Sequence, residues 1–199
     1  MDKALITYDT LKAIHTAKGY IWRDGIFDLN IGGVRSTYQT PDLFDDFIYC
    51  AYLSPIGEKI VFVMQATTKP GDYWLMAPMN PLGTFIMKPG QYIKSHIKGL
   101  HYGKPAFVQF GDLTGWRDNN RDHKLDFTGK LYTGNNFAVN IHRMGTKIDG
   151  TTHVKNQSAG CQGGEEDNIE QLLYLYQQMV STNGRTLLDY TLLEEVDFA

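Results

Sequence analysis

A chain of 199 residues fits one domain and is long enough to bury well over half of its unfolded surface in a single core, so no staple is required. Apolar residues at 42% and charged residues at 21% argue against disorder, and the 13% aromatic share with 20 glycines leans towards sheets and turns. A formal net charge of −3 without any run of Lys or Arg argues against nucleic acid and an anionic membrane surface as partners.

The N-terminal stretch from Met1 to Asp9 is interrupted by polar residues and lacks the apolar centre of a secretory signal; no segment has the length of a bilayer span. Synthesis in the cytoplasm is the expectation. Asp9 or Thr10 caps a short helix whose apolar residues Leu11, Ile14 and Ala17 recur at helical spacing before Gly19, and this helix is expected to lid a sheet. From Asp28 to Lys69 the pattern is β: a run through Leu29, Ile31 and Val34, then Phe47–Leu53 and Ile60–Met64 around the turn Ser54-Pro55-Ile56-Gly57, which predicts a hairpin.

Between Lys69 and Gly111, Pro70-Gly71, Pro78, Pro81, Gly83, Pro89-Gly90, Gly99 and Gly103 punctuate the chain too densely for helices and suit short strands joined by turns. In Phe137-Ala138-Val139-Asn140-Ile141-His142, period-two alternation sends Phe137, Val139 and Ile141 to one face and Ala138, Asn140 and His142 to the other. After Cys161, the acids Glu165, Glu166 and Asp167 fit the positive end of a helix that continues through Ile169, Leu172, Leu173, Tyr176 and Val180 to Gly184. Thr186–Glu195 returns as a strand or a helix. No repeat or linker divides the chain.

The two cysteines read differently. Cys50 sits in the apolar run Phe47–Leu53, where a free thiol serves as a small core hydrophobe. Cys161 sits in Ser158-Ala159-Gly160-Cys161-Gln162-Gly163-Gly164, a small-residue loop with nothing to pack a core. At its reference pKa of about 8.5 a cysteine is only slightly ionised at neutral pH, so a nucleophilic one needs a base nearby. His142 is the candidate base, with His153 in reserve; His15, His96 and His101 read as structural or exposed. The loop between His142 and Ser158 is long enough to return Cys161 to the imidazole. Gly160 lets the backbone approach closely, amides around Gly160 and Cys161 are candidate oxyanion donors, and Ser158 adds a hydroxyl.

The order strand, Ile-His, intervening loop and Ser-x-Gly-Cys resembles the catalytic signature of the L,D-transpeptidase (YkuD-type) cysteine enzymes of bacterial cell walls. Upstream, Asn80-Pro81-Leu82-Gly83-Thr84-Phe85-Ile86 is similar to the Pro-x-Gly-Thr-Phe segment that precedes the site in that family. The resemblance implies Cys161 as nucleophile, His142 as base, Ser158 and Gly160 as site-forming residues, and peptidoglycan stem peptides as the partner, with no cofactor. It also implies a β-rich α+β domain over residues 1–199, with mixed or antiparallel sheets in a YkuD-like β-sandwich, a short N-terminal helix and one longer helix after the catalytic loop. Residues 1–65 form a family-atypical extension. Ala159 stands where the family usually has His, and Gln162-Gly163 where it has a hydrophobic residue followed by Arg or Asn, a divergence of phage type.

The expected activity is thiol-dependent acyl transfer, with hydrolysis slightly favoured over transpeptidation and Asn140 and Arg143 as substrate-binding residues. Without a signal peptide, access to the wall would come through lysis or carriage in a virion. The alternative is a non-catalytic wall-binding or virion module that retains the fold, favoured by Ala159 and Gln162-Gly163. A separate polar cluster, Asp118, Asn120, Asp122 and Asp126, has the alternate oxygen ligands of a short calcium loop, although His123 stands where the sharp-turn glycine belongs. A solvated, self-hydrogen-bonded turn is the competing reading.

Overall fold

The computed structural model describes residues 1–38, 40–149 and 152–199. In chain order it contains α1 (Tyr8–Ala17), β1 (Asn30–Arg35), β2 (Asp46–Leu53), β3 (Lys59–Thr67), α2 (Asp72–Met76), β4 (Thr84–Met87), β5 (Gly90–His101) and β6 (Lys104–Gln109). There follow β7 (Leu113–Asp118), β8 (Tyr132–Gly134), β9 (Ile141–Arg143), β10 (Gln162–Gly164), α3 (Glu166–Asn183) and β11 (Leu187–Glu194).

The hairpin β2–β3 forms where its turn chemistry demands it. The Gly57 N–H donates to the Ser54 carbonyl at 2.9 Å, and Gly57 takes a left-handed φ of 82°. The strands pair in register from Asp46 opposite Ala66 to Leu53 opposite Lys59. Their alternation serves two cores. Ile48 and Cys50 enter the main core with Met64 and Ala66, while Tyr49 and Ala51 lie beneath α1 with Leu11 and Ile14. A strand buried on both faces accounts for the unbroken apolar run, and burial pushes the Cys50 thiol far up.

The architecture is β-rich α+β, but the expected sandwich is corrected. Eight strands close into a barrel in the order β1-β11-β5-β6-β9-β10-β3-β2, and β1 returns to β2. Closure depends on β11, a strand rather than a helix, which pairs parallel to β1 and antiparallel to β5. Residues 1–65 supply β1, β2 and most of β3, so the segment that the family resemblance leaves unmatched forms part of the barrel wall. A separate sheet, β4-β7-β8, holds the Gly83-Thr84-Phe85 segment.

Local expectations are corrected at three points. The cap of α1 is Thr7, whose extended backbone lets its hydroxyl accept from the Thr10 N–H, while Asp9 and Thr10 fall within the first turn. A helix does form between Lys69 and Gly111: Gly71 opens α2 and Pro78 follows it, so the punctuation bounds a short helix rather than forbidding one. The strand expected over residues 137–142 is regular only from Ile141, because Ala138 has a φ of +55°. Val139 and Ile141 still enter the main core.

Helix α3 begins at its acidic residues and ends at Gly184, which has a φ of 65°. It packs over β6, β9 and β10 and sends Ile169, Leu172 and Met179 into the barrel core. Among the described residues, no helix is long and apolar enough to cross a membrane.

Candidate active site

The site lies on the parallel pair β9–β10, where Gly163 faces His142 and Gln162 faces Ile141. The Gln162 N–H donates to the Asn140 carbonyl at 2.8 Å, which sets Cys161 beside Asn140 at the head of both strands. The Asn140 N–H reaches the Cys161 Sγ at 3.4 Å, and the thiol donates to the Ala138 carbonyl at 3.4 Å. The bend at Ala138 thus turns a carbonyl towards the sulfur. Cys161 is 8% exposed, and burial pushes its thiol up to about 11, opposed in part by the Asn140 N–H. At neutral pH it is a thiol.

His142 is 6% exposed and is oriented by its own strand. Its Nδ1 lies 2.7 Å from the Arg143 carbonyl; a carbonyl only accepts, so Nδ1 carries the proton and Nε2 keeps its lone pair. Nε2 is buried and has no hydrogen-bond partner among the described residues. Burial foremost, and then the neighbouring His101, push the imidazole down to about 4, partly offset by the Arg143 carbonyl. The ring is therefore a neutral base at physiological pH. Among the described residues no hydrogen bond joins it to Sγ.

His101, read from sequence as structural or exposed, belongs to the site. Its ring stacks on His142, and its Nδ1 accepts from the Asn140 Nδ2 at 2.9 Å. The Asn140 Oδ1 accepts from the Gln109 N–H at 3.0 Å, so both ends of that amide are engaged within the protein. Asn140 thus positions His101, whose ring stacks on His142. His96 steadies the preceding residue, with Nε2 3.0 Å from the Val139 carbonyl.

Ser158 and Gly160 shape the loop that carries Cys161. The fully buried Ser158 hydroxyl lies 2.8 Å from the Cys161 carbonyl and 3.1 Å from the Lys69 carbonyl, and it accepts from the Gly160 N–H at 3.1 Å. That N–H is therefore committed to Ser158. The Cys161 N–H has no partner among the described residues and is the remaining candidate oxyanion donor on this loop. Gly160 has a φ of 120°, and a Cβ there would lie 2.5 Å from the Phe85 carbonyl. The upstream segment containing Phe85 is thus in direct contact with the loop that carries Cys161.

The positions after the cysteine have steric explanations. Gln162 points into the barrel, where its Oε1 accepts from the Tyr190 hydroxyl at 2.9 Å. Any side chain at Gly163 would run into the His142 carbonyl. Two clefts flank the loop. One of about 220 Å³ is lined by His101, Lys104, His142, Arg143, Asn156 and Gln157. Arg143 forms an ion pair with Glu166 at its margin. The other, about 200 Å³, is lined by residues that include Asn80, Phe85, Arg117, Asn136 and Ala159. His153 pairs with Asp42 at 3.0 Å and takes no part in the Cys161 cluster.

The calcium-like positions do not converge as a metal site. The Asn120 Nδ2 donates to Asp126, the Asp122 N–H to the Asn120 Oδ1, and the Asp126 N–H to the Asp118 Oδ2. Among the described residues no group of three or more His, Cys, Asp and Glu side chains is placed to hold a metal. The chain matches no family model, no curated protein and no solved structure.

Proposed function

We propose that the protein is a thiol-dependent acyl-transfer enzyme acting on peptidoglycan stem peptides. The observation that carries this reading is the His142 tautomer: Nδ1 is committed to the Arg143 carbonyl while Nε2 keeps its lone pair, two residues after Asn140, whose N–H reaches the Cys161 sulfur. A neutral imidazole and a neutral thiol suit proton transfer concerted with attack once a bound substrate brings them into contact, not a resting ion pair.

The thiol proton passes to Nε2 as Sγ bonds to the amide carbonyl carbon, and the oxyanion rests on the Cys161 N–H. The imidazolium then protonates the departing amine as the C–N bond breaks, leaving a thioester. Water or a second amine attacks the thioester and returns the thiol. Hydrolysis is favoured, because transfer requires an acceptor held firmly enough to outcompete water at ~55 M. The protein would be made in the cytoplasm and reach the wall through lysis or in a virion.

The burial of Sγ favours a second reading, a wall-binding or virion module with a silent site. Incubation with defined peptidoglycan and mass spectrometry of the muropeptides separates the two. Tripeptide products that vanish with Cys161→Ala support hydrolysis, new linked dimers support transfer, and unchanged material supports the silent module.

A further inference from the structure

We propose that the cleft beside Ala159 is a binding site for a substrate carboxylate, with Arg117 as its anchor. The proposal rests on the reading above for the nature of the substrate, but the cation in the cleft is independent of it.

Arg117 stands near the end of β7 with its guanidinium lying over two stacked rings, 5.4 Å from the Phe85 centroid and 5.1 Å from that of Phe137. One corner of the fork is fixed, since Nη1 donates to the Gly83 carbonyl at 3.0 Å. The opposite edge, formed by Nε and Nη2, has no partner among the described residues, and Nε is buried. That edge is the side-on fork that matches the two oxygens of a carboxylate. Arg185 pairs with Asp28 and Asp189, and Arg23 with Asp189. The buried Arg35 has no ion pair but donates through all three nitrogens to Thr68 and the Met87 carbonyl, whereas Arg117 has neither a countercharge nor an acceptor for its Nε edge among the described residues.

The remaining lining suits the same ligand. Asn80 and Asn136 place amides around the cleft without adding negative charge, and Ala159 and Phe85 connect it to the nucleophile loop. A carboxylate in this cleft would meet an immobilised cation on an aromatic floor, and the buried Nε would gain its acceptor. The chemistry identifies a peptide with a free carboxylate close to the bond that Cys161 attacks. A neutral end group would leave the fork unpaired.

The test uses Cys161→Ala protein, which prevents turnover, titrated with N-acetyl-D-alanine and with N-acetyl-D-alaninamide while the Arg117 side-chain N–H resonance is followed by NMR. The acid is expected to move that resonance and to bind about tenfold more tightly than the amide. Arg117→Lys should keep the fold and lose the preference, because an ammonium has no fork. Equal affinity for the two probes, or an Arg117 resonance that neither moves, overturns the site. Carboxylate binding at Arg117 without turnover of wall fragments would refute the enzymatic reading alone. Turnover with a KM unaltered in Arg117→Lys would refute the carboxylate site alone.

Discussion

His101 and His142 stack with ring centroids 4.1 Å apart and planes 26° from parallel. The His142 ring is thus covered by a second imidazole whose own orientation is fixed by Asn140. Two protonated rings at this separation repel, so each disfavours the charge of the other.

The acid limb of activity should therefore lie near the depressed His142 value of about 4 instead of the ordinary histidine value. His101→Phe keeps an aromatic cover and removes the charge, and should move that limb upward. A profile of kcat/KM against pH checks this; a wild-type limb at the ordinary histidine value would contradict the arrangement.

Stability should fall on acidification. His142 and His96 are both pushed down to about 4, chiefly by burial, whereas the unfolded chain takes up these protons at its ordinary value of about 6.5. Between those values the unfolded state binds protons that the native state refuses, so stability rises with pH up to about 6.5 and then levels. Each group contributes up to about 3 kcal/mol to this slope. Urea midpoints at pH 7 and near pH 4.5 measure the loss, and His96→Gln should make the slope shallower.

Gly160→Ala should cost about 1–3 kcal/mol of stability, because it imposes a left-handed backbone on a residue with a Cβ and drives that atom into the Phe85 carbonyl. Gly57→Ala is the control: Gly57 is also left-handed, but nothing lies within 4 Å of its would-be Cβ. Melting temperatures should fall more for Gly160→Ala, and any activity that depends on Cys161 should fall with them, since the same loop carries that residue.

Cys161→Ala and His142→Ala should each lower turnover by orders of magnitude while the fold persists, as members of one nucleophile–base unit. Cys50→Ala should keep activity per folded molecule, because Cys50 is sealed in the core away from the clefts. Alkylation of Cys161 by iodoacetamide should be slow at neutral pH and accelerate towards about pH 11. A Cys161 profile centred well below the free-thiol value would instead reveal a resting thiolate–imidazolium pair.

The hairpin, α3 and the burial of Val139 and Ile141 were legible in sequence because each is written in local periodicity and turn chemistry. The partnership of His101 with His142 was not, since it depends on β6 pairing with β5 on one edge and β9 on the other, and Phe107 opposite Ile141 is the one register pair of the second seam. Nor could spacing disclose that Ser158 engages the Gly160 N–H, because that bond belongs to loop conformation rather than to residue type. The barrel itself escaped for the same reason. β1 meets β11 across most of the chain, and no local pattern specifies a partner at that separation.

That closure also imposes an order of events on synthesis. A chain released before residue 187 lacks the last stave, leaving β1 and β5 with bare edges open to pairing with other molecules. It also lacks Tyr190, whose hydroxyl holds Gln162 immediately after Cys161. A chain at that stage thus already contains Cys161 and His142 but has no finished wall behind them, and the barrel that frames the two side chains is complete only once the final strand has docked.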